Sequence, residues 1–271
     1  MSVDALLLGG DFFLIAGPCV LEDDTLNLRV GEALAALSAR LQLPIIYKAS
    51  FDKANRSRPG AARGPGLEEG LRRLERVRAA TGLPLLTDVH EPGQCAPASD
   101  VCDMLQIPAF LSRQTDLIEA AAATGRAVEI KKGQWMAPEE MAGAVAKARG
   151  AGASAVAVTE RGTSHGYGDL IVDMRSFARI RAAARVPVIF DGTHSVQRPG
   201  LANGASGGDP QFIEPLVLAA IAAGADALFL ETHPQPHRAP SDGLNMLPLD
   251  RLAALLERVL EVRAAVRGVP V

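Results

Sequence analysis

The chain has 271 residues, and 28 lysines and arginines stand against 31 aspartates and glutamates, which gives a formal charge of −3. This balance does not indicate a protein that binds nucleic acid or an anionic membrane surface. No apolar run approaches the roughly 18 residues of a spanning helix, and residues 1–10 lack the basic start and apolar core of a signal peptide. We therefore expect a cytoplasmic protein. The three cysteines contain no CxxC pair, which argues against a disulfide framework or a zinc knuckle.

Short apolar segments alternate with segments of helical period along the whole chain. Eight segments have the character of buried strands: Phe12–Ala16, Pro44–Lys48, Pro84–Val89, Met104–Ile107, Ala127–Lys131, Ala155–Thr159, Pro187–Phe190 and Ala227–Glu231. Seven helices are predicted between and after them: Thr25–Leu41, Leu67–Thr81, Arg113–Thr124, Pro138–Arg149, Asp173–Arg185, Pro210–Ala223 and Pro248–Arg267. The interval after the third strand offers only Gly93–Ser99 for a short helix.

Eight βα units of this size match a closed α/β barrel. A doubly wound open sheet usually has fewer strands and a glycine fingerprint after the first strand, and the chain contains neither GxGxxG nor GxxxxGK[ST]. No linker divides the chain into halves, and the glycine-rich stretches Arg58–Gly66 and Pro199–Gly208 follow strands. We therefore predict one single-domain (β/α)8 TIM barrel over residues 1–271, with both stretches as loops of the functional face.

The active site of such a barrel forms at the carboxyl ends of its strands. Six cationic side chains follow predicted strands there: Lys48, Lys53, Arg56, Lys131, Lys132 and Arg161. In a net-negative protein, such convergence favours ligands that carry phosphate and carboxylate groups. Two clusters of these cations would accommodate two anionic substrates. The alternative is that one of the paired lysines is solvated and that the arginines near residue 56 coat a mobile loop.

A second group combines one thiol, one imidazole and two carboxylates. Its members are Cys19, His194, Glu231 and Asp242. In a closed barrel the eighth strand lies between the seventh and the first, so these positions become neighbours in space. They could hold zinc, iron(II) or manganese. Two alternatives stay open, because Cys19 could be a small core residue and His233 could compete as a ligand. The chain has no GxSxG motif, which argues against a serine hydrolase.

Long motifs at these strand ends closely resemble the 3-deoxy-D-manno-octulosonate 8-phosphate synthases, also called 2-dehydro-3-deoxyphosphooctonate aldolases. The matching segments are IAGPCVLE at 15–22, KASFDKANRS at 48–57, TDVHE at 87–91, QIPAFLSRQTDL at 106–117, KKGQ at 131–134, TERGTSHGYGDLIVDMRS at 159–176, FDGTHSVQ at 190–197 and FLETHPQPHRAPSDGLNMLPL at 229–249. The sister synthases that use erythrose 4-phosphate typically carry a KPRTS-like segment where this chain has KANRS.

The resemblance implies a reaction and a role for each matching residue. The reaction is the condensation of phosphoenolpyruvate with D-arabinose 5-phosphate and water, a step towards lipopolysaccharide. The implied substrate-binding residues are Lys48, Ser50, Lys53, Asn55, Arg56, Ser57, Gln106, Arg113, Lys131 and Arg161. Of these, Asn55, Arg56 and Ser57 would take the sugar phosphate, and Arg113 would reach a neighbouring subunit of a homotetramer.

The implied catalytic residues are His194, Asp88, His90, Lys131 and Asp242. Members with Cys in the first motif depend on a metal, so Cys19 places this chain with the class that binds one divalent ion through Cys19, His194, Glu231 and Asp242. The loop at Arg58–Gly66 and the pair Gly168-Asp169 depart from the family pattern, which leaves sugar specificity less determined than reaction type. The alternatives are another phosphosugar aldolase, including the erythrose 4-phosphate synthase, and a sensor that binds phosphoenolpyruvate without turnover.

Overall fold

The computed structural model describes residues 2–56, 59–202 and 205–266, without the side chains of 199–202, 205 and 206. Ser57, Arg58 and Arg267, which the sequence places in predicted elements or loops, lie outside the described residues. Eight parallel strands form the centre of the fold: β1 (Phe13–Gly17), β2 (Ile45–Lys48), β3 (Leu85–Asp88), β4 (Met104–Ile107), β5 (Ala127–Lys131), β6 (Val156–Glu160), β7 (Val188–Asp191) and β8 (Ala227–His233).

Each strand pairs with the next along the chain, and β8 pairs with β1 in parallel register from Phe13 opposite Ala227 to Gly17 opposite Glu231. The sheet is therefore a closed barrel, and the predicted (β/α)8 fold is confirmed. All eight predicted strands are present; β4 and β5 have the predicted bounds, and the ends of the other six differ by one or two residues. The largest extension is at the end of β8, where a short strand at Leu247–Pro248 pairs with it.

Helices connect the strands and surround the barrel. They are α1 (Val3–Gly9), α2 (Asp24–Leu41), α3 (Leu67–Thr81), α4 (Pro92–Val101), α5 (Thr115–Ala123), α6 (Met141–Gly150), α7 (Ser176–Ala184), α8 (Ile213–Ala222) and α9 (Leu249–Val266). The short helix predicted after the third strand is present as α4, which is longer than the predicted Gly93–Ser99. Two predicted helices begin instead with 3₁₀ turns, at Pro138–Glu140 and Pro210–Phe212. None of the helices described here has the length and apolar character that a membrane crossing requires.

Side chains alternate along each strand between the barrel interior and the surrounding helices. In β1, Phe13 and Ile15 belong to an inner apolar cluster to which all eight strands contribute. Leu14 and Ala16 belong instead to the outer cluster, which includes residues of the surrounding helices. The barrel therefore has two apolar layers, one inside the sheet and one outside it.

The N-terminal helix α1, which the periodicity analysis does not predict, closes the amino end of the barrel. Ser2 caps it by accepting a hydrogen bond from the Ala5 amide, 3.2 Å away. Val3, Leu6 and Leu7 join the inner cluster and are almost completely buried. Full burial of an apolar side chain of this size contributes roughly 1.5–3 kcal/mol, so even a helix of 7 residues docks favourably.

The same two-residue alternation turns polar side chains inwards at the carboxyl end. Two residues beyond the inward-facing apolar positions stand Lys48 after Ile46, Asp88 after Leu86, Gln106 after Met104, Asp191 after Ile189 and Glu231 after Phe229. The barrel interior is therefore apolar towards α1 and polar at the opposite end. Two antiparallel hairpins follow β6 and β7, at Thr163–His165 with Asp169–Ile171 and at Gln197–Ala202 with Ala205–Gly208.

Candidate active site

A cavity of about 560 Å³ opens at the carboxyl ends of the strands. Eleven of the predicted site residues line it: Lys48, Lys53, Asn55, Arg56, Asp88, His90, Gln106, Lys131, Arg161, His194 and Asp242. Cys19, Ser50 and Glu231 are buried directly beneath, in contact with the Lys48 ammonium group. Residues from strands far apart in sequence therefore meet around one space.

Lys48 is held at the floor of the cavity by groups from three strands or their loops. Its Nζ donates to Ser50 Oγ at 2.9 Å and lies 3.4 Å from Glu231 Oε1 and 3.8 Å from Asp88 Oδ1. Lys53 Nζ lies 4.0 Å from the same Glu231 oxygen. Burial lowers the pKa of Lys53, but the acidic groups of Cys19, Glu231 and Asp88 outweigh burial and raise it. Lys53 is therefore a cation at neutral pH, with its charge directed towards the cavity floor.

Asp191 at the end of β7 orients two further site residues. Its Oδ2 accepts from Lys131 Nζ at 2.5 Å and contacts His194 Nδ1 at 2.8 Å. Its Oδ1 accepts from the backbone amides of Thr193 and His194. Burial raises the pKa of Asp191, but His194 and Lys131 outweigh burial and lower it far below the usual range. The carboxylate is therefore charged, and a proton on His194 Nδ1 leaves Nε2 free for another partner.

Asp88 and His90 form a buried pair on the wall opposite β7. His90 Nε2 lies 3.1 Å from Asp88 Oδ2. Burial raises the pKa of Asp88, but the charge of Lys48 and the hydrogen bond from His90 outweigh it, so this pKa falls well below the usual value. Burial lowers the pKa of His90, but Asp88 outweighs burial and raises it. The pair therefore tends to hold a proton on the imidazole beside a charged carboxylate.

Sulfur and oxygen donors converge next to the cavity. One donor atom from each of Cys19, Glu231 and Asp242 lies within 4.8 Å of the other two. His194 lies at the edge of this triad, with Nε2 3.8 Å from Glu231 Oε1. Burial raises the pKa of the Cys19 thiol, and Glu231 and Asp242 raise it further. Cys19 Sγ lies 3.1 Å from Ser241 Oγ and 3.2 Å from Asp242 Oδ2, so either oxygen can accept the thiol proton.

His233 contacts Gln235 and Glu22 rather than Cys19 or Asp242. Its Nδ1 accepts from the Gln235 amide at 2.8 Å, and its Nε2 lies 3.1 Å from Glu22 Oε1. Both ring nitrogens are therefore engaged away from Cys19 and Asp242.

The position of Lys132 corrects one part of the sequence analysis, which counts it among the cations of the rim. Its side chain is fully buried behind the cavity wall, where Nζ donates to Gly162 O and Thr163 Oγ1 at 3.2 Å and lies 3.5 Å from Glu160 Oε1. The alternative that one of the two adjacent lysines is solvated is also wrong, because Lys131 is buried as well. Lys132 therefore connects the loops after β5 and β6 and does not face the cavity.

One other predicted residue, Arg113, lies outside this space. Arg113 is exposed and does not line the cavity. Ser57 lies outside the described residues. Trp135 is 51% exposed and stacks on Phe110, which is 57% exposed.

The structure adds cavity residues that the strand-end rule does not single out. Gln197 lies in the segment after β7, and Ser241 lies next to Asp242 in the loop after β8. Gln197 stands inside the FDGTHSVQ motif, so the resemblance supplied the only signal for it. Ser241 accepts a hydrogen bond from Arg56 Nη2 and donates to Asp242 Oδ2 at 2.7 Å. Both residues depend on contacts across loops rather than on strand position.

Several buried polar atoms around the cavity have no hydrogen-bond partner among the described residues. They are Asp88 Oδ1, His90 Nδ1, Gln106 Oε1, Gln134 Oε1, Arg161 Nε and Glu231 Oε2. Buried polar groups in proteins are nearly always hydrogen-bonded, and a group left unpaired costs roughly 1–3 kcal/mol. Such a concentration indicates a site for a polar ligand.

Comparison with known proteins agrees with the geometry. The profile of the DAHP synthetase I family matches residues 4–267. The chain belongs to the DAHP synthetase I family. Curated relatives include the 2-dehydro-3-deoxyphosphooctonate aldolases of Magnetococcus marinus, 51% identical over 96% of this chain and 91% of the relative, and of Alkalilimnicola ehrlichii, 52% identical over 94% and 92%. The relative of the same name from Trichlorobacter lovleyi is 48% identical over 98% of both chains.

The resemblance that the motifs predict is therefore confirmed. Within the DAHP synthetase I family, the curated relatives carry the name of the synthases to which the strand-end motifs point. The similarity covers nearly the whole barrel, including every strand end that contributes to the cavity.

Proposed function

We propose that this enzyme condenses phosphoenolpyruvate with D-arabinose 5-phosphate and water to give 3-deoxy-D-manno-octulosonate 8-phosphate and phosphate. In this reaction the methylene carbon of phosphoenolpyruvate forms a bond to the aldehyde carbon, whose oxygen takes up a proton. Water adds to the enol carbon, and phosphate leaves as its bond to that carbon breaks. The observation that carries the proposal is the convergence of buried cations and a Cys–His–Glu–Asp group on one cavity.

The cations divide between two anionic substrates. Lys53, Lys131 and Arg161 surround the inner part of the cavity, with Lys48 and Gln106 beside them, and are the proposed ligands of phosphoenolpyruvate. Asn55 is exposed and Arg56 is half-buried at the outer part, where they would bind the sugar phosphate together with Ser57. Holding two mutually repelling anions in reacting geometry is worth at most about 7–11 kcal/mol of barrier.

The donor group fits one divalent metal ion. Cys19, His194, Glu231 and Asp242 offer sulfur, nitrogen and oxygen, a mixed set that suits zinc, iron(II) or manganese. Glu231 Oε2 is buried without a partner among the described residues, and Asp191 orients His194 as second-shell carboxylates do for metal-bound imidazoles. When bound, such an ion polarises the aldehyde or lowers the pKa of a bound water.

Residues of the chain itself supply the proton transfers and the charge stabilisation. His90, with its raised pKa, holds a proton beside Asp88 and has an unpartnered Nδ1 from which to donate towards the aldehyde oxygen. Lys131 lies 2.5 Å from Asp191 and 3.1 Å from the centroid of the Phe229 ring, which fixes its ammonium group. We propose that His194 and Asp242 would hold the metal at the reaction centre, with His194 as a further proton carrier.

The surface near Arg113 supports a homotetramer. Phe110 and Trp135 stack with ring centroids 6.2 Å apart, and both are more than half exposed on the same side of the barrel rim. Exposed aromatic side chains are enriched in protein interfaces. We propose that this surface contacts another subunit, so that Arg113 reaches the neighbour's sugar phosphate. The enzyme would act in the cytoplasm, on the route to lipopolysaccharide.

The test is phosphate release from phosphoenolpyruvate and arabinose 5-phosphate by chelator-treated protein, with and without added zinc, iron(II) or manganese. Turnover restored by a metal supports both the reaction and the metal site. Activity that survives thorough chelation keeps the reaction and refutes the metal. Turnover with erythrose 4-phosphate alone overturns the sugar assignment, and binding of phosphoenolpyruvate without turnover under any metal indicates a sensor.

A further inference from the structure

Gln197 connects the proposed phosphoenolpyruvate site to the proposed metal site. Its Oε1 accepts a hydrogen bond from Arg161 Nη2 at 2.5 Å, and its Nε2 donates to Asp242 Oδ1 at 2.8 Å. The side chain is 9% exposed and lies in the segment after β7, whereas its partners follow β6 and β8. One amide therefore joins three loops at the centre of the cavity.

The chemistry of the partners determines the direction of this amide. Arg161 can only donate, so it must contact the amide oxygen, and the carboxylate of Asp242 can only accept, so it must contact the amide nitrogen. The glutamine amide offers an acceptor oxygen and a donor nitrogen on one neutral side chain, and asparagine offers the same groups on a side chain one methylene shorter.

The amide also keeps two opposite charges from pairing directly. A direct ion pair between Arg161 and Asp242 would commit the guanidinium to a carboxylate and the carboxylate to a cation. With Gln197 between them, Arg161 Nε has no hydrogen-bond partner among the described residues, and Nη2 also donates to His194 O at 3.2 Å. Asp242 keeps Oδ2 directed at Cys19 and Ser241. Each charge thus stays available to a ligand.

We infer that Gln197 is a positioning residue that orients Arg161 for the anion of phosphoenolpyruvate and Asp242 for the metal. The inference rests on the proposed function, because it takes the two ligands from it. It assigns to one uncharged side chain a role that the strand-end pattern does not reveal.

The test compares Gln197→Met, Gln197→Glu and the matched control Gln211→Met, whose glutamine is exposed and makes one contact to Asp209 at 3.3 Å. Zinc affinity is measured on chelator-treated protein by competition with a chromogenic chelator, and phosphoenolpyruvate affinity by calorimetry. Gln197→Met should weaken zinc binding about 10- to 100-fold, the usual effect of removing a second-shell partner. Gln197→Met should also weaken phosphoenolpyruvate binding. Gln211→Met should leave the zinc affinity and the phosphoenolpyruvate affinity at the wild-type level.

Gln197→Glu separates the two hydrogen bonds. Its carboxylate still accepts from Arg161 but neutralises it, so phosphoenolpyruvate should bind more weakly than to Gln197→Met. A merely structural role predicts lower melting temperatures with unchanged ligand affinities and no difference between the two variants. Zinc and phosphoenolpyruvate affinities of Gln197→Met within twofold of the wild type would overturn the inference. If the proposed function itself is wrong, the result is different, because the wild-type protein would then bind neither zinc nor phosphoenolpyruvate.

Discussion

Gly17, the last residue of β1, offers a direct test of how tightly the barrel closes beneath the active site. Its φ is not in the left-handed region, so its backbone would accept any residue. The constraint is steric, because a Cβ atom at this position would overlap the Lys48 carbonyl oxygen and lie 3.0 Å from the Lys48 carbonyl carbon and 3.1 Å from its amide nitrogen. We therefore expect Gly17→Ala to force β1 and β2 apart.

The cost follows from what must move. All three atoms belong to the backbone, so no flexible side chain can relieve the overlap. Two backbone hydrogen bonds lie just beyond, from Ser50 N to Cys19 O at 3.3 Å and from Leu21 N to Ser50 O at 2.9 Å. Overpacking costs about 1–3 kcal/mol and each weakened hydrogen bond up to about 1 kcal/mol, so we expect a loss of about 3 kcal/mol in the free energy of unfolding.

Thermal unfolding measured by calorimetry checks this value. For a chain of this size a change of 1 kcal/mol shifts Tm by roughly 2–4 °C, so Gly17→Ala should lower Tm by roughly 10 °C. Gly143→Ala is the matched control, because no atom lies within 4 Å of its added Cβ and the residue stands in α6. It should stabilise the protein by about 0.4–1 kcal/mol. A Tm for Gly17→Ala within about 2 °C of the wild type would refute the steric argument.

Three further predictions concern the buried polar groups. Lys132→Met should destabilise the protein by about 3–5 kcal/mol, because it leaves the buried Glu160 without its cation. In urea unfolding, the double variant Lys132→Met/Glu160→Gln should recover part of this loss. If the losses of the two single variants simply add, the two side chains are not coupled. Asp88→Asn should lower the pKa of His90, because the hydrogen bond and the charge of Asp88 are the two largest effects that raise it against burial. The stability that protonated His90 gains from Asp88 is present below about pH 6.5 and is lost as pH rises through the raised pKa of His90 in the folded state. An NMR titration that shows the same His90 pKa in the variant as in the wild type contradicts the pairing. Cys19→Asn should abolish stoichiometric metal, measured by elemental analysis, because the thiolate ligand is gone; full retention would remove Cys19 from the ligand set.

Much of the fold could be predicted because its signals are local. Parallel strands buried on both faces appear as short apolar runs, and eight of them alternate with amphipathic segments. The N-terminal helix α1 was not predicted, because its three buried side chains acquire their meaning only from the open end of the barrel beneath them. The hairpins after β6 and β7 escaped prediction for a related reason, since their strands are short and lack a clear apolar alternation.

The candidate site was predictable where strand position alone decides direction. Residues at the ends of β2, β3, β4, β7 and β8 point inwards because they stand two positions after an inward-facing apolar residue. The roles of Gln197 and Ser241 were not predictable from strand position. The partners of Gln197 lie 36 and 45 residues away in sequence, and Arg56 lies 185 residues from Ser241. Only the closed barrel brings these partners within hydrogen-bond distance.

Lys131 and Lys132 show where the boundary lies. The sequence by itself determined that two cations follow the fifth strand of an eight-stranded barrel, within motifs typical of one enzyme family. Only the tertiary structure decided that Lys131 enters the cavity and that Lys132 is buried behind its wall. The physical reason is that adjacent residues of an extended chain point to opposite faces, and the closed sheet assigns one face to the ligand and the other to the loops that support it.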